Sequence, residues 1–375
     1  MITSRNKRIK SIIDSRNGIH VTVYLKFNGN PIQLRKTLRN LLFTAEAHLD
    51  PVMCQEEIEH FLAPARALAC DTASLEQIRG NIALFRKNGF FCYLSIPIDI
   101  EDACVVASTF HIKPLLKWAQ QDQDFMVIAV ATDRARLYTG NQTDFRKINE
   151  FVYPNALQGL ARAESSADSP DFRKIFPIET SMMEWLSEQL ERESMARDTK
   201  LFIAGDTRLA AELMRFMNHR SFHPENVSPE CNGDRISDLC GAIRSILQKD
   251  SRTRLEGALK EFELAQNSHK TRSNIFLIAK AAASGNIKRL LIAEDLNVFG
   301  RLDLVTENLL LHPADMDHED DCLLDDLAQT VLLSGGEVVI AKRSEIPQGR
   351  PVIAVLNHQM TNLEDGTSHT REIAL

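Results

Sequence analysis

Between residues 20 and 49 the hydrophobic period changes from two to nearly four across one short turn. Val21, Val23, Leu25 and Phe27 alternate with Thr22, Tyr24 and Lys26, the pattern of a half-buried strand. Asn28-Gly29-Asn30-Pro31 then turns the chain, with Asn30 placed to cap a helix and Pro31 suited to its first position. Leu34, Leu38, Leu41, Leu42, Ala45 and Leu49 recur at helical spacing, while Arg35, Lys36 and Arg39 occupy the other side. Strand and helix in direct succession point to layered α/β architecture.

The alternation continues downstream. A helix is expected over 75–87, stopped by Gly89, with strands at 90–96 and 103–108. Residues 110–118 read as a connector into a short helix, with a new domain beginning just after. The runs 125–131 and 135–138 make a hairpin around Thr132-Asp133-Arg134, and a short strand is expected near 150–153. Residues 154–178 hold three prolines and three serines without periodicity, and so predict a long surface loop. A helix containing Met183, Trp185 and Leu186 follows, then a buried strand over 201–204 that ends at Gly205-Asp206-Thr207. Three separate helical stripes come next: Leu209 to Met217, Ile236 to Leu247, and Leu255 to Phe262. From about residue 273, helix 275–283, strand 287–293, helix 323–331 ended by Gly335-Gly336, and strands 338–341 and 352–356 form a compact α/β/α unit. The tail from Asn357 is polar and is expected to fray.

A chain of 375 residues at 44% hydrophobic and 25% charged composition has ordinary globular usage. That excludes a disordered chain, a collagen-like fibre and a coiled-coil rod. Apolar runs reach about seven residues, against roughly 20 for a membrane helix. The start, MITSRNKRIKSII, lacks an apolar signal-peptide core, so a cytoplasmic protein without membrane partners is expected. The 7 cysteines form no CxxC pair and read as free, mostly buried thiols. The net charge of −7 is unevenly spread: residues 1–50 carry 9 Lys/Arg against 3 Asp/Glu, and residues 301–375 carry 5 against 14. Such polarity reflects either one end facing a polyanion or the clustering of solvated faces.

No phosphate-binding loop, dinucleotide fingerprint, nucleophile elbow or zinc helix is present in the sequence. The acidic cluster from His312 to Asp326 reads as a solvated cap on the helix that follows. Its alternative is a hard-cation site, although Asp320 stands where a calcium loop requires Gly. His219 and His223 flank Arg220 with no carboxylate partner evident from spacing, which suits a surface helix terminus. Asp133 in the hairpin turn and Asp206 at a strand end are turn and cap residues, or else ligands of a two-metal site. Lys7, Arg8, Lys10, Arg16, Arg35, Lys36 and Arg39 supply the basic front end; they suit phosphate contacts, with no aromatic interleaving for base stacking.

Three passages together resemble one family. They are HVTVYLKFNGNPIQLRKTLRNLL (20–42), FHIKPLLKWAQQDQDFMVIAVATDRARLYTG (110–140) and LLDDLAQTVLLSGGEVVIAKRSEIPQGRPVIAVLNH (323–358). They look like the bacterial branch of the archaeo-eukaryotic peptide-chain release factors, whose wider circle includes the ribosome-rescue protein Pelota. The resemblance implies an α/β chain of three domains. These would be an N-terminal α/β domain (1–120), a ribonuclease H-like middle domain of release-factor type (121–270) and a C-terminal α/β/α sandwich of the kink-turn-binding ribosomal-protein type with a polar tail (271–375). It implies a translation-associated factor that binds the ribosome or tRNA-like RNA, uses no cofactor, and has a translational GTPase as a further partner. RNA contact would fall to Lys7, Arg8, Lys10, Arg35, Lys36 and Arg39. Release factors hydrolyse peptidyl-tRNA with a Gly-Gly-Gln loop; here the corresponding loop holds only Gln158-Gly159, so Gln158 is the one candidate catalytic residue. Pelota-like proteins also lack that motif. Two other classes stand beside this one: a metal-dependent phosphodiesterase using Asp133 and Asp206, and a non-catalytic interaction protein.

Overall fold

The computed structural model describes residues 4–16, 18–71, 73, 75, 80–96, 98–121, 125–131, 133–141, 145–154, 172–192, 200–205, 207–217, 223, 227, 236–303, 308–312 and 321–359. Two compact units emerge, one of residues 121–252 and one that joins 2–120 to 253–375. It is a mixed α/β structure with four sheets among the described residues.

The chain opens with α1 (Ser4–Ile13), β1 (His20–Leu25), α2 (Pro31–Leu49) and α3 (Gln55–Cys70). Three more strands, β2 (Asn81–Lys87), β3 (Phe90–Ile96) and β4 (Ala103–Ala107), complete an antiparallel sheet of order β3-β2-β1-β4. The start of α2 follows the sequence expectation: Asn30 accepts from the Ile32 and Gln33 amides, and Pro31 fills the first turn. β1 departs from it. Every residue of β1 is buried, because both faces of the sheet are covered. Val21, Val23 and Leu25 meet α2 and α3, whereas Tyr24 faces a second core shared with α1. Period-two alternation shows that a strand has two chemically different faces, not that one of them meets water.

The expected helix over 75–87 is also corrected, since Asn81–Lys87 is the first strand of a hairpin with β3. Asn88-Gly89 is the turn, with Gly89 at φ +72, and an Asn-Gly pair between apolar runs favours a hairpin over a helix stop. Helix α3 has no counterpart in the sequence reading, although Ile58, Phe61, Leu62, Ala65, Leu68 and Ala69 form its buried stripe.

α4 (Lys113–Gln121) closes this part of the chain. The middle unit then sets β5 (Phe125–Val130), β6 (Arg134–Gly140) and β7 (Phe145–Val152) as an antiparallel meander. After α5 (Phe172–Arg192), β8 (Lys200–Gly205) pairs with β5 in parallel, giving the order β7-β6-β5-β8. The predicted loop of 154–178 therefore ends earlier, at Phe172; residues 155–171 lie outside the described ones. Gly205 has φ +118, and a Cβ there would collide with the Val130 carbonyl on β5. α6 (Thr207–Phe216) follows. The two expected stripes at 236–247 and 255–262 belong to one helix, α7 (Ile236–Gln266). Leu239, Ile243 and Leu247 enter a core of the middle unit, and Ala258 and Phe262 enter a core with Leu291 and Ile353.

The remainder runs β9 (Thr271–Arg272), α8 (Ile275–Ala283) and β10 (Ile287–Ala293). It continues with β11 (Phe299–Asp303), β12 (Asn308–His312), β13 (Asp321–Cys322), α9 (Leu323–Leu333), β14 (Glu337–Ala341) and β15 (Val352–Leu356). β14, β10, β15 and β9 form one sheet, with β10 parallel to β14 and antiparallel to β15. β12, β11 and β13 form a second, small sheet. Tyr24, Phe85, Phe110 and Leu115 share a core with Ile278, Leu290, Leu324 and Leu327, which unites the two chain segments of the larger unit.

Candidate nucleic-acid interface

α2 buries Leu34, Leu38, Leu42, Ala45 and Leu49, so the opposite side of the helix is free to carry charge. Lys36 and Arg39 are exposed and Arg35 is half-buried beside the apolar stripe. Among the described residues none of these three cations is paired with a carboxylate. Arg39 reaches only the Cys70 thiol, at 3.9 Å, and the Arg35 Nε is shielded from solvent with no hydrogen-bond partner. Other cations differ: Lys26 binds Asp99 at 2.8 Å, Arg66 binds Glu46 at 2.8 Å and Lys117 binds Glu294 at 2.8 Å. An unpaired cationic row is available to an anionic partner at no cost in broken ion pairs.

Beside that row an open groove of about 290 Å³ runs between α2 and α3. Arg39, Leu42, Phe43 and Glu46 line it from α2, and Arg66, Ala69 and Cys70 from α3. Phe43 is 73% exposed. Its place was legible: Arg35, Arg39 and Phe43 are spaced i, i+4, i+8, which puts them in one row along a helix. No aromatic is interleaved with the basic residues in the sequence, and the helix brings Phe43 beside them.

The other basic candidates lie elsewhere. Arg8 and Lys10 are exposed on α1, and the side chain of Lys7 lies outside the described residues. α1 is anchored through Ile9 and Ile12 to the core on the opposite sheet face from α2. Arg35, Lys36 and Arg39 are thus brought together, and Arg8 and Lys10 form a separate place.

In the middle unit Gln158, Asp206 and His219 lie outside the described residues. Asp133 binds the Arg134 guanidinium at 2.8 Å, and that hydrogen bond holds its carboxyl below the ordinary range. Among the described residues no group of three or more His, Cys, Asp or Glu converges as a metal site would require. His223 is not a surface residue. It is buried, stacked on Phe202 at 4.7 Å between centroids, with its Nε2 3.2 Å from Asp250. That carboxylate lies 27 residues downstream, beyond the reach of local spacing. Burial raises the Asp250 carboxyl, but Lys200 at 2.5 Å together with His223 leaves it below its ordinary value.

The acidic cluster is divided as well, since residues 313–320 lie outside the described ones. Asp325 is buried rather than a solvated cap. One of its oxygens accepts from the Ile112 and Lys113 amides, each at 2.8 Å, and the other lies 2.6 Å from His111 Nδ1. Burial pushes its carboxyl up, and His111, the Lys113 charge and the Ile112 amide together more than offset that, so it stays below the ordinary range. Asp326 accepts from Thr109 at 2.8 Å. The six described cysteines are free thiols, but only Cys240 and Cys322 are buried, which corrects the expectation that most would be; Cys231 lies outside the described residues. Cys322 sits beside Asp325, but burial pushes its thiol to about 12, which leaves it inert.

No family model and no curated protein matches the chain. Among solved structures, an archaeal translation termination factor, aRF1, is 15% identical over 94% of this chain and 96% of its own, with a TM-score of 0.23. Dom34 of S. cerevisiae is a translation termination-like factor involved in RNA quality control pathways and interacting with Hbs1. It is 13% identical over 73% of this chain and 75% of its own, with a TM-score of 0.41. Archaeoglobus fulgidus Pelota is 13% identical over 74% and 79%, with a TM-score of 0.30. No helix among the described residues is long and apolar enough to cross a membrane.

Proposed function

We propose that this chain is a translation-associated RNA-binding factor that docks on the ribosome or on tRNA-like RNA. The observation that carries the reading is the row of exposed Lys36 and Arg39 with half-buried Arg35 on α2, cations that no described carboxylate neutralises. The sequence resemblance to release and rescue factors supplies the class of RNA. Arg8 and Lys10, with Lys7, make a second contact from α1. In this reading residues 1–120 bind RNA, residues 121–270 are a ribonuclease H-like domain, and residues 271–375 are a kink-turn-binding type of domain that receives a translational GTPase.

Co-sedimentation with ribosomes through a sucrose cushion tests it. Replacing three phosphate contacts by carboxylates in R35E/K36E/R39E should weaken association at least tenfold at about 0.1 M salt. Unchanged association, in a variant whose circular dichroism matches wild type, would remove α2 as the interface.

Peptidyl-tRNA hydrolysis is a separate matter, because one glutamine without the preceding glycines lacks the backbone freedom that positions a water. Neither wild type nor Gln158→Ala should release peptide from stalled ribosomes. Release by the wild type that the substitution abolishes would make Gln158 catalytic.

A further inference from the structure

The α2–α3 groove sets an exposed aromatic ring beside Arg39, a cation that no described carboxylate pairs, and the two features call for one ligand. We propose that Phe43 is a stacking platform for an unpaired nucleobase of single-stranded RNA, with Arg39 and Arg35 holding the phosphates on one side of it. This rests on the reading of α2 as the RNA-binding face.

A Phe ring that is 73% exposed, on a helix that already supplies Leu38 and Leu42 to the core, contributes little to packing. Its surroundings mix the two kinds of side chain: Arg39, Glu46 and Arg66 line the groove together with Leu42, Ala69 and Cys70. Arg39 lines the groove with it, Arg35 stands one turn earlier in the same row, and Lys36 lies on the same exposed side. A base offers a π-face to the ring, while its own backbone carries the negative charge that these cations lack. An acidic amphipathic helix would offer charge too, but it docks through several apolar anchors at i, i+3 or i+4, and i+7. The groove holds one large exposed apolar side chain, Phe43, and about 290 Å³, the small end of ligand pockets. Ile32 is exposed as well, yet it lies roughly 16 Å away along the helix and does not line the groove. Glu46 is held by Arg66 at 2.8 Å and Gln55 at 2.7 Å, so its charge is neutralised where a phosphate backbone would approach.

The test measures fluorescence anisotropy of a labelled 12-nucleotide oligoadenylate and of a 12-base-pair RNA duplex. Proteins compared are wild type, Phe43→Ala, Phe43→Tyr and R35E/K36E/R39E. Phe43→Ala should weaken the single strand by roughly 5- to 150-fold, the value of one stacked base, and leave the duplex unchanged. Its slope of log affinity against log salt should match wild type, since no phosphate contact is removed. Phe43→Tyr should bind as wild type. Full single-strand affinity in Phe43→Ala, with loss in the triple reversal, would overturn the stacking site, leave the RNA-binding face standing and assign the exposed ring to a protein partner. Equal loss for strand and duplex would overturn it as well. Wild-type affinity in the triple reversal would overturn the RNA-binding reading itself.

Discussion

His20 sits at full burial with both ring nitrogens engaged: Nδ1 lies 2.9 Å from the Gly18 carbonyl and Nε2 3.1 Å from the Ser15 hydroxyl. A neutral imidazole satisfies both, with Nδ1–H donating to Gly18 and Nε2 accepting from Ser15. Burial therefore pulls its titration down to about 4, with the Lys87 charge adding to the effect. In the unfolded chain the same group titrates near 6.5. Between those values the unfolded state binds more protons, so the stabilisation is complete above about pH 6.5 and is lost as the pH falls through 4. The loss is on the order of 3 kcal/mol. Denaturant midpoints at pH 7.5, 5.5 and 4.5 should fall more steeply for wild type than for His20→Gln. Parallel curves would refute the assignment. Nothing in the sequence marks His20 as buried; it reads as the first residue of an alternating strand. Asp325 is similar, because its partners His111, Ile112 and Lys113 lie more than 200 positions away. Side chains whose role depends on such partners look like solvated acids or turn histidines until the chain is folded. Arg35, Lys36, Arg39 and Phe43 differ, since one helix places all four, and their shared row follows from spacing alone.

Elements with their own start and stop chemistry were legible. α2 carries a cap, an N-terminal Pro and an unbroken stripe, and its bounds of 31 and 49 are those read from the chain. α8, β10 and β15 likewise match, each bounded by turn residues and dominated by apolar side chains, with Lys280 the charged exception in α8 and Lys288 and Arg289 in β10. The hairpin β2–β3 was misread because NIALFRK is apolar on both faces, and short apolar runs look alike as helix or strand. Asn88-Gly89 was the deciding signal, since a two-residue turn fits between strands and a helix stop needs only the glycine. In α7 the polar stretch Gln248 to Arg252 interrupts the apolar stripe without interrupting the helix. A helix continues wherever propensity holds, and its stripe ends wherever burial ends. The candidate interface shares both fates. Its α2 half was readable, whereas the groove beside Phe43 needed α3, an element absent from the sequence reading.

At the scale of the molecule, the acidic surplus of residues 301–375 is less of a surface field than its count suggests. Asp325 and Asp326 belong to it, yet both are spent on internal hydrogen bonds to residues 109–113. Those bonds tie the two chain segments of the larger unit across a shared core, with Gln329 adding donors to the Ile13 and Ser15 carbonyls. Asp325→Ala would leave two buried backbone amides and His111 without their acceptor. Breaking such a buried arrangement costs about 3–5 kcal/mol. The damage should be confined to the unit of residues 2–120 and 253–375, because the middle unit has its own cores around Leu186 and Phe202. The chain's 2 tryptophans report the two units separately: Trp118 is buried in the larger one and Trp185 packs in the middle one. In a Trp185→Phe background, Asp325→Ala should lower the Trp118 melting midpoint by roughly 6–20 °C. With both tryptophans present, calorimetry should then resolve a second transition at its wild-type position. Asp325→Asn keeps an acceptor for the two amides and should fall between the two. If both transitions move together by the same amount, the units unfold as one and Asp325 stabilises the whole chain rather than the junction it bridges.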